Sequence, residues 1–284
     1  MSALAPLRID GPPPSPRPYG LVTTPGTIVP QGDPHWAGGV IVDSYPTDLP
    51  ESHNPCATGT MRVKAEGTDP PWPEFSSFTV VFPFTCSGIG LGNEAGATRA
   101  RNRAREAFVA KEGWQVEREL AFGITDSDRP HFTKPGLATY PAGISTAVGP
   151  REALSLLENA IGATAHDGMI HVDSGTAIAM MAWNLIDTDG KRAYTPRGTT
   201  VIIGDGYKPA SGQQPGTLLT ADESYAWATG AVELSRDEVE VLGPTAQVLN
   251  TETNEVTFRA ERNYVAYWDT ALLAGVRVDR SATP

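Results

Sequence analysis

His171 and Asp173 flank Val172 at the end of the run Met169-Ile170-His171-Val172. Strand alternation would place both on one face, the spacing of a general base and the carboxylate that orients it. No nucleophile motif such as Gly-x-Ser-x-Gly accompanies them, and alternation makes such pairs common by chance, so an enzyme with its site here is the weaker reading. The five histidines, at 35, 53, 131, 166 and 171, include no His-x-x-x-His spacing, and Cys56 and Cys86 are too far apart in sequence to complete a metal site. Asp187-Thr188-Asp189-Gly190 opens like a calcium loop but lacks the third oxygen ligand before the glycine and the later glutamate, so it reads as a β-turn. Gly88-Ile89-Gly90-Leu91-Gly92 resembles the start of a dinucleotide fingerprint, yet Asn93 stands where the third glycine belongs and no Lys-Ser or Lys-Thr follows. A tight turn before a helix is the simpler account. No catalytic residue, metal ligand or cofactor site is therefore expected.

The composition bounds the class. A chain of 284 residues with 40% apolar and 19% charged residues has ample material for a folded core. Its net charge of -11 argues against a dedicated nucleic-acid binder, though an acidic wall can enclose DNA without sticking to it. Two cysteines allow one disulfide and exclude a disulfide-dense scaffold. Residues 1–18 show no basic region followed by an apolar stretch, and no run approaches the roughly 20 apolar residues that span a bilayer. Neither a signal peptide nor a membrane span is expected, and the chain should be made and retained in a cytoplasm.

The elements that position these residues follow from proline, glycine and hydrophobic period. Residues 1–73 are rich in proline, including Pro12-Pro13-Pro14 and Pro70-Pro71, and read as extended arm and loops. Trp36, Val40, Ile41, Val42, Tyr45 and Trp72 make this stretch apolar for a linker. It is either a disordered tail or an arm that becomes ordered by lying across another subunit. Residues 75–85 read as a strand, with Pro83 marking an edge. A helix is predicted over 94–122, with Ala100, Ala104, Phe108 and Leu120 on one face, Gly113 placed to bend it and Gly123 to stop it. Arg99, Arg101, Arg103 and Arg105, interspersed with Glu106, Glu112, Glu117 and Glu119, make a mixed face that is either solvated or intersubunit.

Pro150 opens a second helix to about residue 165, striped by Ala153, Leu154, Leu157, Ala160 and Ile161. A strand over 169–172, a helix over 176–185 capped by Asp173 or Ser174, and strands at 191–194 and 199–203 complete an α/β layer. Further strands are expected at 225–234, 239–242, 256–262 and 271–278, with no internal repeat.

Three stretches together resemble the Hong Kong-type capsid fold of tailed-phage major capsid proteins, which encapsulins share. The first runs from Val81-Phe82-Pro83-Phe84 through the alanine- and arginine-rich helix to Glu117-Arg118-Glu119-Leu120-Ala121-Phe122-Gly123, similar to the entry and end of the spine helix. The second, 152–203, resembles the axial domain. The third, from Glu261-Arg262-Asn263-Tyr264 through Trp268 to Val278, resembles the closing peripheral segment. The resemblance implies an α+β fold with an N-terminal arm at 1–45 and an extended loop with its return strand at 46–85. A spine helix with peripheral domain at 86–149, an axial domain at 150–245 and peripheral return strands at 246–284 would follow.

The implied function is a major capsid protein that self-assembles into an icosahedral head around a genome, in a virion put together in a bacterial cytoplasm. Its partners would be many copies of itself, with scaffold, portal and decoration proteins, and packaged DNA by non-specific proximity only. The alternatives are another virion part (neck, tail or decoration) or an encapsulin-like shell. Encapsulins begin with a short helical segment that residues 1–18 cannot form, which favours a virion protein. Some capsids of this fold carry a lysine–asparagine crosslink; Lys64 falls in the proposed loop, but no partner residue is assigned. Trp36, Trp72 and Phe75 are the expected contacts on neighbouring subunits. Removing residues 1–50 is expected to leave a foldable core and abolish assembly.

Overall fold

The computed structural model describes residues 12–30, 34–44, 73–87, 94–164, 167–210, 212–216, 218–243, 249–250 and 255–282. Lys64, Cys56, Trp72, His53, His166 and the turn at 88–93 lie outside the described residues. In chain order the elements begin with β1 (Val40–Ile41), β2 (Glu74–Phe75), β3 (Phe78–Ser87) and α1 (Glu94–Phe122). They continue with β4 (Ala147–Val148), α2 (Pro150–Thr164), β5 (Gly168–Val172), α3 (Ser174–Ala182), β6 (Asp187–Thr188), β7 (Ala193–Tyr194) and β8 (Thr200–Ile203). The last are β9 (Glu223–Gly230), β10 (Glu233–Arg236), β11 (Glu240–Leu242), β12 (Leu249–Asn250), β13 (Glu255–Tyr267) and β14 (Leu273–Asp279).

The chain divides into two units. The smaller takes residues 1–17, Val81–Lys111 and Glu238–Arg262; the larger takes Pro18–Val80, Glu112–Asp237 and Asn263–Pro284.

In the larger unit a seven-stranded sheet runs β4-β14-β9-β5-β8-β7-β6. β9 is antiparallel to both β14 and β5, whereas β5 and β8 are parallel, so the sheet is mixed. Its central strands are buried on both faces, and the pleat sorts them by type. Ile170, Val172, Val201, Ala226, Ala228, Ala274, Val276 and Val278 pack with Leu154, Leu157 and Ile161 of α2 and Ala177 and Met180 of α3. The alternate residues His171, Tyr225, Trp227 and Thr229 belong to the other face, where Phe132 stands 5.8 Å from the Trp227 ring and 5.4 Å from Trp268. One side of the sheet is aliphatic and small, the other aromatic with polar groups.

α2 begins at Pro150 as the sequence requires, and its apolar stripe supplies the aliphatic layer. α3 starts two residues earlier than its pattern suggested, because the Asp173 side chain accepts from the Thr176 amide at 2.8 Å and so fixes Ser174 as the first helical residue. Asp187 and Thr188 form β6 itself, and the hairpin turn to β7 falls two residues later than its pattern suggested, at 189–192, with Asp189 Oδ1 accepting from the Lys191 and Arg192 amides at 3.0 and 2.7 Å.

Gly113 does not interrupt α1, which is continuous over Glu94–Phe122. Gly123 does stop it: its φ is +56°, and a side chain there would meet His131 at 2.6 Å and the Asp126 carbonyl at 2.9 Å.

In the smaller unit, Ala100 and Ala104 of α1 pack on Val256 and Phe258 of β13, with Phe84 and Val241 alongside. Lys111 lies over the Phe82 ring at 4.7 Å and Arg103 over Phe84 at 5.8 Å. β3 pairs with β13 alone, so Pro83 sits on an edge strand where its missing N–H costs little.

The proline-rich beginning is partly built into its own subunit. Leu21 and Thr27 are fully buried, the Ile203 amide donates to Tyr19 O at 2.8 Å, and the Leu234 amide donates to Thr27 O at 2.7 Å. Residues 19–29 thus need no neighbour to be ordered, which corrects the expectation that removing residues 1–50 would spare the core. Further on, β1 pairs antiparallel with β2 and the Val42 amide donates to Pro73 O at 3.1 Å. The chain positions before residue 45 and after residue 72 are therefore adjacent.

Among the described residues no helix is long and apolar enough to cross a membrane.

Candidate functional site

The His171–Asp173 pair does not form. His171 is fully buried and bonds to Tyr207 OH at 3.0 Å through Nδ1 and to Thr229 Oγ1 at 2.9 Å through Nε2. The Thr229 hydroxyl donates its one proton to Gly230 O at 2.7 Å, so toward His171 it accepts. Nε2 then carries the imidazole proton and Nδ1 accepts from Tyr207. Burial pushes the His171 pKa down to about 3, which keeps the ring neutral. Asp173, in contrast, caps α3, accepts from the Ser224 hydroxyl and lies 3.8 Å from Arg280 Nη1. The two side chains share no partner, and His171 has no surface on which a substrate could land. Their arrangement is that of a core polar network.

The structure also relocates three of the four glutamates assigned to an outer face of α1. Glu106 is exposed, but Glu112, Glu117 and Glu119 are buried. Glu119 pairs with Arg129 at 2.6 Å and accepts from the Thr125 amide at 3.1 Å. Glu112 accepts from Tyr264 OH and lies 3.4 Å from Arg236 Nη1. Glu117 accepts backbone amides from Leu21 at 3.2 Å and Gly206 at 3.1 Å. On α2, Glu158 is likewise buried, taking the hydroxyls of Thr195 and Thr199 at 2.5 and 3.0 Å. A hydropathy pattern places such residues outside because it reads type and not partners. The glycines at 204 and 206 were the available signal, since a turn with two glycines can admit a side chain at close range.

Of the proposed neighbour contacts, Phe75 is fully buried in its own chain, edge-on to Trp268 at 4.9 Å between ring centres. Its side chain therefore has no surface left to offer a neighbour, contrary to the contact expected of it. Trp36 is half-buried in a short 3-10 turn, Pro34–Gly38, and Trp72 lies outside the described residues.

The larger unit exposes other apolar groups. Trp114 is 47% exposed with the Arg118 guanidinium stacked over its ring at 4.7 Å, and Arg118 donates to Gln213 Oε1 at 3.3 Å. Ile144 lies beside residues 212–216, where the Tyr225 hydroxyl donates to Ile144 O at 3.1 Å and Pro215 O at 2.5 Å, and Leu218 is exposed a little further on. Ile178 on the outer side of α3 is 68% exposed. An exposed tryptophan stacked with an arginine is the composition of protein–protein contacts. On the smaller unit, Arg99, Arg101 and Arg105 of α1 face solvent. Among the described residues no group of three His, Cys, Asp or Glu side chains could hold a metal ion.

These elements make a mixed α+β fold, and it is the Hong Kong-type capsid fold. A chain from the capsid of the empty GTA particle superposes with a TM-score of 0.53 at 16% identity, covering 98% of this chain and 95% of that one. A chain of Mycobacterium phage Cain gives 0.52 at 14% identity over 94% of this chain and 92% of its own. One of Microbacterium phage Oxtober96 gives 0.52 at 13% identity, covering 97% and 96%. No family model matches the sequence, and no curated protein matches it. The likeness lies in the fold, spans nearly the whole length of each chain, and leaves little common sequence.

Proposed function

We propose that this chain is a major capsid protein, many copies of which assemble into an icosahedral phage head around a genome. The observation that carries this reading is the end-to-end superposition on a chain of the GTA particle capsid, with 98% of one and 95% of the other aligned. A shell subunit works by geometry: a rigid body repeats its contacts, and weak interfaces engaged together give a stable container. The buried ion pairs and the two-faced sheet supply rigidity. The exposed side chains of Trp114, Ile144, Leu218 and Ile178 supply apolar area that neighbours would cover.

In this reading residues 1–45 include the arm and 46–85 the extended loop with its return strand. Residues 86–149 hold the spine helix, 150–245 the axial domain and 246–284 the peripheral return strands. Trp36 and Trp72 are kept as neighbour contacts. The protein would reside in the virion after assembly in a bacterial cytoplasm, with scaffold, portal and decoration proteins as partners and DNA held by proximity only. In this reading the chain's role is structural, and the His171–Asp173 pair considered for catalysis is a core network.

Negative-stain electron microscopy of the purified chain, alone and with proteins from its own locus, tests the proposal. Closed icosahedral particles are expected. Rings or tubes would move the protein to a neck or tail, and a persistent monomer or dimer with all partners present would overturn the shell reading.

A further inference from the structure

Glu117 joins two segments of the larger unit that are distant in sequence. One carboxyl oxygen accepts the Leu21 amide at 3.2 Å and the other accepts the Gly206 amide at 3.1 Å. A Cβ at position 204 would collide with the Glu117 carboxyl, and one at 206 with the Trp114 carbonyl and Glu117 Cβ, so glycine at both places lets the turn lie close against α1. The Tyr19 carbonyl, accepting from the Ile203 amide at 2.8 Å, pins the same two segments a second time. Among the described residues no Lys, Arg or His pairs with Glu117, unlike Glu112 and Glu119 on the same helix.

The ionisable groups around it are few. Asp205 on the turn opposes a negative charge on Glu117, and the Tyr207 phenol is held neutral by burial. His171, reached through Tyr207, is already neutral above about pH 3. Between Pro18 and Val29 the only ionisable side chain is Tyr19.

We propose that Glu117 is a proton-gated latch on the N-terminal segment: docking of residues 19–29 on the subunit takes up one proton, and lifting them releases it. Burial raises the docked carboxyl from 4.5 to about 8, with Asp205 adding to the rise and the two backbone amides opposing it. The lifted carboxyl, in water, returns to its ordinary value. Docked stability from this group is therefore complete below about pH 4.5 and is lost as the pH climbs toward 8. In that window the lifted state gains about tenfold per pH unit. The latch belongs to the subunit alone and stands whether or not the chain builds a shell.

Hydrogen exchange of the full, unassembled chain at pH 5.5, 6.5 and 7.5, corrected for intrinsic exchange rates, reads this directly. Protection of residues 20–27 is expected to fall about tenfold per pH unit while that of β9 does not. Glu117→Gln should flatten the slope. Asp205→Asn, at an exposed position, should make it level off at lower pH and keeps the test alive if the glutamine variant does not fold. A change below about threefold across the two pH units in the wild type would overturn the latch. So would a slope that persists in Glu117→Gln, or an Asp205→Asn profile identical to the wild type.

Discussion

Leu21→Ala is the substitution that most sharply separates a segment built into its own subunit from an arm awaiting a neighbour. Leu21 has no exposed surface, yet its backbone groups are held separately: the amide by Glu117, the carbonyl by the Thr27 hydroxyl at 2.6 Å. Truncation leaves those bonds in place and removes only the side chain. Burying a leucine is worth about 1.5–3 kcal/mol, and an incompletely collapsed cavity raises the loss to about 2–5 kcal/mol. Taking about 3 kcal/mol and a urea slope near 3 kcal/mol per molar, the midpoint should fall by about 1 M.

Trp227 and Trp268, both fully buried in the larger unit, make fluorescence the natural probe of that transition. Deleting residues 1–17, whose described part is exposed, should move the same midpoint by no more than a surface change does, about 0.5 kcal/mol. A Leu21→Ala midpoint within about 0.2 M of wild type would refute the reasoning, since the segment would then contribute nothing to the subunit core.

Other outcomes follow from the same geometry. Glu119→Ala removes the carboxylate bonded to the buried Arg129 guanidinium and should cost about 3 kcal/mol, the low end for a broken buried pair because Asp126 and the Glu119 carbonyl remain; the same unfolding assay measures it, with Glu119→Gln falling between it and wild type. His171 binds no proton in the native state until about pH 3 but does so in the unfolded chain near 6.5. Its contribution is therefore full above pH 6.5 and drains away at about 1.4 kcal/mol per unit as the pH falls toward 3. His171→Asn should show a shallower acid limb of stability against pH, and an unchanged limb would contradict the assignment of the neutral ring. Ile178→Ser and Leu218→Ser should leave subunit stability within about 0.5 kcal/mol while raising the concentration needed for particles, read by sedimentation; unchanged assembly would remove both from the interface.

α1 was legible almost to the residue, because alanines and a terminal glycine speak through local propensity and capping, which need no tertiary information. α2 and the strand ahead of Asp173 were legible for the same reason. β13 extends from Glu255 to Tyr267, well past the expected end at 262, because its far half is stabilised by pairing with β10, a partner more than twenty residues upstream. The glutamates of α1 were misplaced since their burial depends on a tyrosine, an arginine and amides contributed by remote segments. Phe75 misled for a related reason. Seen locally it is one aromatic in a proline-rich approach, and only the folded chain brings Trp268 against it. Periodicity reports what a residue's own element wants, and the misreadings cluster where another element decides.

The short β1–β2 pair has an implication for how such a chain can diversify. The backbone before residue 45 and after residue 72 meets across two paired residues, so β1 and β2 hold each other in register through residues 40–42 and 73–75 alone. Lengthening a closed excursion costs only about 0.6 kcal/mol for each doubling. A longer sequence between residues 44 and 73 would therefore cost the β1–β2 pairing little. Chain length can change at this point without reopening the question of how β1 finds β2.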